Sequence, residues 1–183
     1  MRSRARLIVL SALILIVVAG SVLSWAFENS VVKTTSAKQV EVRYTVGACE
    51  QPGVTIVIDF GDSVERDPII RCANDFVGSG WEVFQATAIE VSGTNQYPVG
   101  FVCRIENFPP SSEQNCIDTP KYSEGSWGYF VFTKESGWQV SQVGSAARDA
   151  ECGSAEGWLF IGPGKQDVGL LPRPIPETVA CDG

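Results

Sequence analysis

Six cysteines and not one histidine are the strongest constraint that this 183-residue sequence places on its fold. All six (Cys49, Cys72, Cys103, Cys116, Cys152 and Cys181) lie beyond a basic and then apolar leader. An even count in an exported chain reads as three disulfides, with fifteen possible pairings. No pair has CxxC spacing, so neither a metal cluster nor a thioredoxin-like redox site is indicated. The absence of histidine removes Ser-His-Asp and Cys-His catalysis, His-bearing zinc or haem sites and His-based pH switching.

The leader carries Arg2, Arg4 and Arg6, then an apolar run from Leu7 to Ala19 that continues through Val22 and Leu23. Ser24-Trp25-Ala26 sets small residues at the −3 and −1 positions of a cleavage after Ala26, which makes residues 1–26 a signal peptide. The same stretch also suits an uncleaved membrane anchor. Leu7 to Phe27 is 21 residues without a charge, and roughly 20 are needed to span a bilayer. Under both readings the arginines stay inside and the rest of the chain lies outside, secreted or on the outer face of the cytoplasmic membrane.

The net charge of −7 argues against a nucleic-acid partner. Loss of residues 1–26 takes three arginines and no acid, leaving 11 basic and 21 acidic side chains, a net −10. Such a chain is soluble and does not adsorb to anionic lipid, so membrane contact is expected only through an uncleaved leader.

Residues 27–38 form a polar spacer without periodicity. Val40, Val42, Tyr44 and Val46 then alternate with polar residues, predicting a half-buried additional strand within 39–48. Val54 to Phe60 is nearly continuous and β-branched, as in a central strand, and Ile69 to Cys72 forms another. Ser79 and Glu82 make a capping box. Trp81, Phe84, Ala88 and Val91 follow at helical spacing with Gly93 as the cap, predicting a helix over 80–91. Further strands are expected at 99–106, 127–133, 138–143 and 158–161, with a loop over 107–125. A Cys103–Cys116 bridge would close the first part of that loop. From Pro163 the tail carries Pro172, Pro174 and Pro176 and reads as a stiff extended segment rather than core. Its Cys181 is placed to staple it back to the domain, for instance to Cys152. The tally gives an α+β fold over 49–162, a small mixed sheet with one main helix packed on it, followed by a Pro-rich tail over 163–183.

Motifs for chemistry are scarce. Asp59, Asp62, Glu65 and Asp67 have no EF-hand spacing and read as a solvated turn. No phosphate-binding glycine loop and no GxSxG elbow is present, and no metal or cofactor is expected. The aromatics are more informative. Trp127, Tyr129, Trp138 and Trp158 each begin or occupy a predicted strand. Large amphipathic rings at strand ends can line a shallow ligand site, although core packing uses the same rings. Arg104 could pair with an anionic ligand or with a cross-strand acid.

Several of these residues also form an ordered series: Cys49, Val54-Thr55-Ile56-Val57-Ile58-Asp59-Phe60-Gly61, Arg71-Cys72, Gly100-Phe101-Val102-Cys103-Arg104-Ile105, Cys116, Thr119-Pro120, Trp127-Gly128-Tyr129, Gly137-Trp138 and Glu156-Gly157-Trp158-Leu159-Phe160. This series resembles an actinobacterial family of exported or surface-anchored proteins associated with energy-coupling-factor vitamin transporters. Its domain is similar to the small C-terminal β-grasp-like domain of transcobalamin. The resemblance implies a non-enzymatic extracellular module that captures or presents a small molecule, such as a corrinoid vitamin, to a membrane transporter. It also implies the pairings Cys49–Cys72 and Cys103–Cys116, leaving Cys152–Cys181. The alternative function is a structural or protein-interaction domain of the cell envelope whose rings are all core. An enzyme would have only carboxylates for acid–base work, in no recognisable constellation.

Overall fold

Seven consecutive residues from Gly53 to Asp59 are buried, because strand β2 (Gly53–Asp59) runs through the middle of a sheet covered on both faces. The computed structural model describes residues 42–121, 123–165, 169–179 and 181. The leader, the spacer and the first residues of the expected strand at 39–48 lie outside that range.

The other strands are β1 (Tyr44–Val46), β3 (Ile69–Asn74), β4 (Val91–Gly93), β5 (Val102–Ile105), β6 (Ser126–Thr133), β7 (Gly137–Val140) and β8 (Ala155–Ile161). Six of them form one sheet in the order β1-β3-β2-β8-β6-β7, while β4 and β5 pair separately. The large sheet is mixed: β2 and β8 run parallel and its other neighbours antiparallel. With one short helix, α1 (Glu82–Ala86), the architecture is α+β and dominated by sheet.

Side-chain alternation divides the core in two. On the helix face lie Val54, Ile56 and Ile58 of β2 and Trp158 and Phe160 of β8, packed against Val83, Phe84 and Ile89. On the opposite face lie Val57, Phe130, Phe132, Trp138, Ala155 and Leu159. Three disulfides, Cys49–Cys72, Cys103–Cys116 and Cys152–Cys181, staple the periphery. Such a set belongs to an oxidising, extracellular setting. Among the described residues no helix is long and apolar enough to cross a membrane.

Several elements differ from expectation. The helix spans Glu82–Ala86 and not 80–91. The capping box does form: Ser79 N–H donates to Glu82 Oε2 at 2.7 Å and Glu82 N–H to Ser79 Oγ at 3.4 Å. The helix then stops early, because Ala88 adopts a left-handed φ of 52° and closes a Schellman cap, with Ile89 N–H donating to the Phe84 carbonyl at 2.9 Å and Ala88 N–H to the Gln85 carbonyl at 3.2 Å. Ala88 is exposed, and Val91 and Gly93 belong to a strand paired with β5. β1 is exposed along its length, with Val46 86% accessible, because it forms the sheet edge and not a half-buried strand.

The proline-rich tail runs as an extended strap against the second face. Pro172 and Pro176 are buried in it, and Trp138 Nε1–H donates to the Pro174 carbonyl at 2.8 Å. Gly157 makes room for this arrangement: a Cβ there would lie 2.5 Å from the Trp138 ring. The acidic stretch at 59–67 is also not a uniformly solvated turn. Asp59 has no exposed surface, whereas Asp62, Glu65 and Asp67 are exposed. Arg173 of the strap grips Asp59 through its guanidinium (Nη2–Oδ1 2.5 Å) and through its backbone N–H (2.8 Å).

A candidate ligand cleft on the helix face

Strand β6 places Trp127 and Tyr129 on the helix face, and its register sets Tyr129 opposite Trp158 of β8. The two rings stack with centroids 5.0 Å apart, and Phe84 of α1 lies 4.3 Å from Trp158 on the helix side. Above them opens a cleft of about 340 Å³. Its walls are residues 100–102, leading into β5, and residues 140–145, leaving β7. Trp127, Tyr129 and Trp158 supply the aromatic lining together with Phe101 of the first wall. The walls approach at one end, where a Cβ on Gly100 would touch the Ala146 Cβ at 3.4 Å.

Among the described residues no charged side chain lines this cleft. Its wall is nevertheless anchored by a buried charge cluster. Glu156 of β8, with no exposed surface, accepts hydrogen bonds from Tyr129 Oη and Arg148 Nη1. Arg148 holds the segment after residue 145, and its carbonyl accepts from Gly80 N–H at 2.9 Å. The Ser145 carbonyl accepts from Trp81 N–H at 3.0 Å. Gly80 is needed here, since a Cβ would lie 2.5 Å from Tyr129 Oη and 2.8 Å from Glu156 Oε2.

Burial pushes the Glu156 carboxyl above its ordinary value, against the pull of Tyr129 and Arg148. Burial, then the Glu156 charge, pushes the Tyr129 phenol far up, so it stays a neutral donor at physiological pH. Across the sheet Asp59 behaves oppositely. Burial raises it, but the hydrogen bonds from the Arg173 side chain, Arg173 N–H and Gly61 N–H together prevail and hold its carboxyl below the ordinary value.

Of the residues expected to contact a ligand, Trp127, Tyr129 and Trp158 therefore meet in one cleft. Trp138 does not join them, since it lies on the opposite face under the strap. Nor does Arg104. Its Nε donates to the Pro109 carbonyl at 2.6 Å and its Nη2 to the Gln114 carbonyl at 2.5 Å, so it braces the 107–125 loop rather than pairing with an acid. Trp158 is only 1% exposed and serves the core first. Trp127 packs against Phe60, Phe108 and Phe160 at 5.4–6.2 Å between centroids. Its Nε1–H is the one buried side-chain nitrogen or oxygen among the described residues that has no hydrogen-bond partner.

Arg148 and Glu156 escaped the sequence reading as site residues. Period-two alternation offers the signal for one of them, because Glu156 shares a strand face with Trp158 and Phe160 and must be buried with them. Arg148 sits in an irregular segment that has no periodic pattern to read. Among the described residues no group of three or more Cys, Asp or Glu stands close enough to hold a metal ion. Ser141 and Ser145 add hydroxyls to a lining that also carries the Tyr129 phenol, itself donated to Glu156, so the arrangement can stack and hydrogen-bond a ligand. The chain matches no family model, no curated protein and no solved structure.

Proposed function

We propose that this protein is a non-enzymatic extracellular binding module that holds a small molecule in the helix-face cleft and works alongside a membrane transporter. The observation that carries this reading is the convergence of Trp127, Tyr129 and Trp158 on one uncharged cleft of about 340 Å³. Binding sites of this kind are concave, largely apolar and provided with few polar groups. The Cys, Trp and Gly-Trp series that resembles vitamin-transporter-associated proteins supports the same function. A mixed sheet with a helix on one face supports a β-grasp-like domain.

A vitamin such as a corrinoid remains within this proposal, with a restriction. A corrin macrocycle exceeds the cleft, so it would rest across the mouth with one edge inserted. The second reading, an envelope interaction domain without a small-molecule ligand, draws on the near-complete burial of Trp158 and on Val140 and Val143 exposed at the rim (58% and 51%). Titration of cobalamin and a panel of other vitamins against tryptophan fluorescence separates the two. A saturable change that is lost on filling the cleft, for example with Ser145→Phe, supports the binding module. A flat response across the panel favours the interaction domain.

A further inference from the structure

Native proteins pair nearly all of their buried polar groups, so an orphan calls for an explanation. Here the orphan, Trp127 Nε1–H, belongs to a residue that lines the cleft. Leaving such a donor unpaired is unfavourable, and an acceptor delivered by a ligand would recover that loss. The N–H has under 1 Å² of its own surface exposed. A ligand therefore reaches it by displacing the wall slightly, which makes the fit induced rather than preformed.

We infer that the cleft takes a neutral, flat ring system, one ring or two fused, whose edge carries a hydrogen-bond acceptor that pairs with the Trp127 indole N–H. This rests on the reading of the cleft as a binding site. Size sets the first limit. About 340 Å³ lies at the small end of the range for ligand pockets, which points to a small ring system and not a macrocycle. Charge sets the second. An ion entering the cleft would lose its hydration with no opposite charge on the lining, and Glu156 and Arg148 already neutralise one another behind the wall. An aromatic cage for a cation is not available either, because Tyr129 and Trp158 stack on each other instead of standing apart as walls.

The test uses the folded, disulfide-bonded protein and four probes: naphthalene, quinoline, N-methylquinolinium and 2-naphthoate. Quinoline and naphthalene share a shape, but only quinoline has an edge acceptor. Quinoline is expected to bind about tenfold tighter than naphthalene, the worth of one hydrogen bond to a buried donor. It should also move one tryptophan indole N–H resonance downfield, the one missing from Trp127→Phe. In that variant the preference should fall to within about twofold. The two charged probes should bind more weakly than quinoline. Equal affinity for quinoline and naphthalene in the unmodified protein would overturn the inference, as would tighter binding of either ion, while leaving the cleft a binding site. A quinoline preference that survives in Trp127→Phe would overturn it as well. Should that variant not fold, the quinoline–naphthalene comparison in the unmodified protein still decides. If no probe shifts any resonance of the cleft residues, the binding-site reading fails and this inference with it.

Discussion

The two faces of the sheet solve the same burial problem by different means. The helix face is closed by interlocking side chains from the helix, the β4–β5 pair and the sheet itself, with Trp158 and Phe84 among its fully packed members. The opposite face has fewer buried residues and is closed by an irregular strap held at three points: Arg173 on Asp59, Trp138 on the Pro174 carbonyl, and the Cys152–Cys181 bridge. One face is thus held by many small contacts that fail together. The other relies on a few discrete attachments that can be cut one at a time.

That contrast can be broken experimentally, and the helix face should yield the greatest loss. Trp158→Ala empties the space between Tyr129 and Phe84 and should cost about 3–5 kcal/mol of global stability, read as a lower urea midpoint at unchanged slope. A smaller loss than that caused by cutting the strap would reverse the ranking of the faces. Next comes Cys152→Ser/Cys181→Ser. The bridge closes a separation of 29 residues, worth about 3–4 kcal/mol at most in the chain-entropy model. Hydrogen exchange should then accelerate over 169–179 well before the sheet opens; simultaneous acceleration in β2 and β8 would show that the strap is not a separable unit.

Arg173→Ala should have a smaller effect, about 2 kcal/mol. It leaves the Asp59 carboxylate buried, but Arg173 itself is half exposed, so the pair is worth less than a fully buried one. Its pH signature is more specific than its size. Because the folded Asp59 titrates below its ordinary value of 3.8, the unfolded chain binds the proton more readily. Asp59 thus adds stability above that pH, and the contribution disappears as pH falls through the folded value. Glu156 has the opposite sign. Its folded value lies above the ordinary 4.5, so its contribution is most favourable below that pH and declines as pH rises towards the folded value. Unfolding curves across acidic pH should lose the low-pH decline in Arg173→Ala and the decline above 4.5 in Glu156→Gln. An unaltered profile in both would remove the electrostatic part of the comparison. The smallest effect is expected from Trp138→Phe, which deletes one hydrogen bond to the strap while keeping a ring, and should cost about 1 kcal/mol in thermal or urea unfolding.

The helix face was largely legible in the sequence, and the strap face largely was not. The β-branched run at 54–60 marked the central strand, and Ser79 and Glu82 marked the start of the helix. Spacing alone extended that helix too far, because Trp81, Phe84, Ala88 and Val91 keep helical period by coincidence across a turn and into a strand. Only the left-handed turn at Ala88 and the pairing of Val91 with Ile105 decide otherwise. Three prolines in the tail marked it as a stiff extended segment outside the core. They said nothing of whether it could cover a sheet face, where proline rings pack and proline carbonyls still accept. The ring residues of the cleft were readable as a type. Their grouping was not, because it depends on the register that sets Tyr129 opposite Trp158 and leaves Trp138 on the far side.

The parallel pairing of β2 with β8 bears on how the chain comes together in time. Thr55 lies beside Ala155, a connection of about a hundred residues across the centre of the sheet. Hairpins such as β2–β3 and β6–β7 can close locally, but the two halves join only when β8 is available to bridge them. Contacts so distant in sequence slow folding. Until then β2, which the finished fold buries on both faces, presents an open edge on which another chain could build. A truncated chain ending before residue 155 would keep that edge uncovered, so aggregation rather than a smaller folded product is the expected fate of an incomplete molecule.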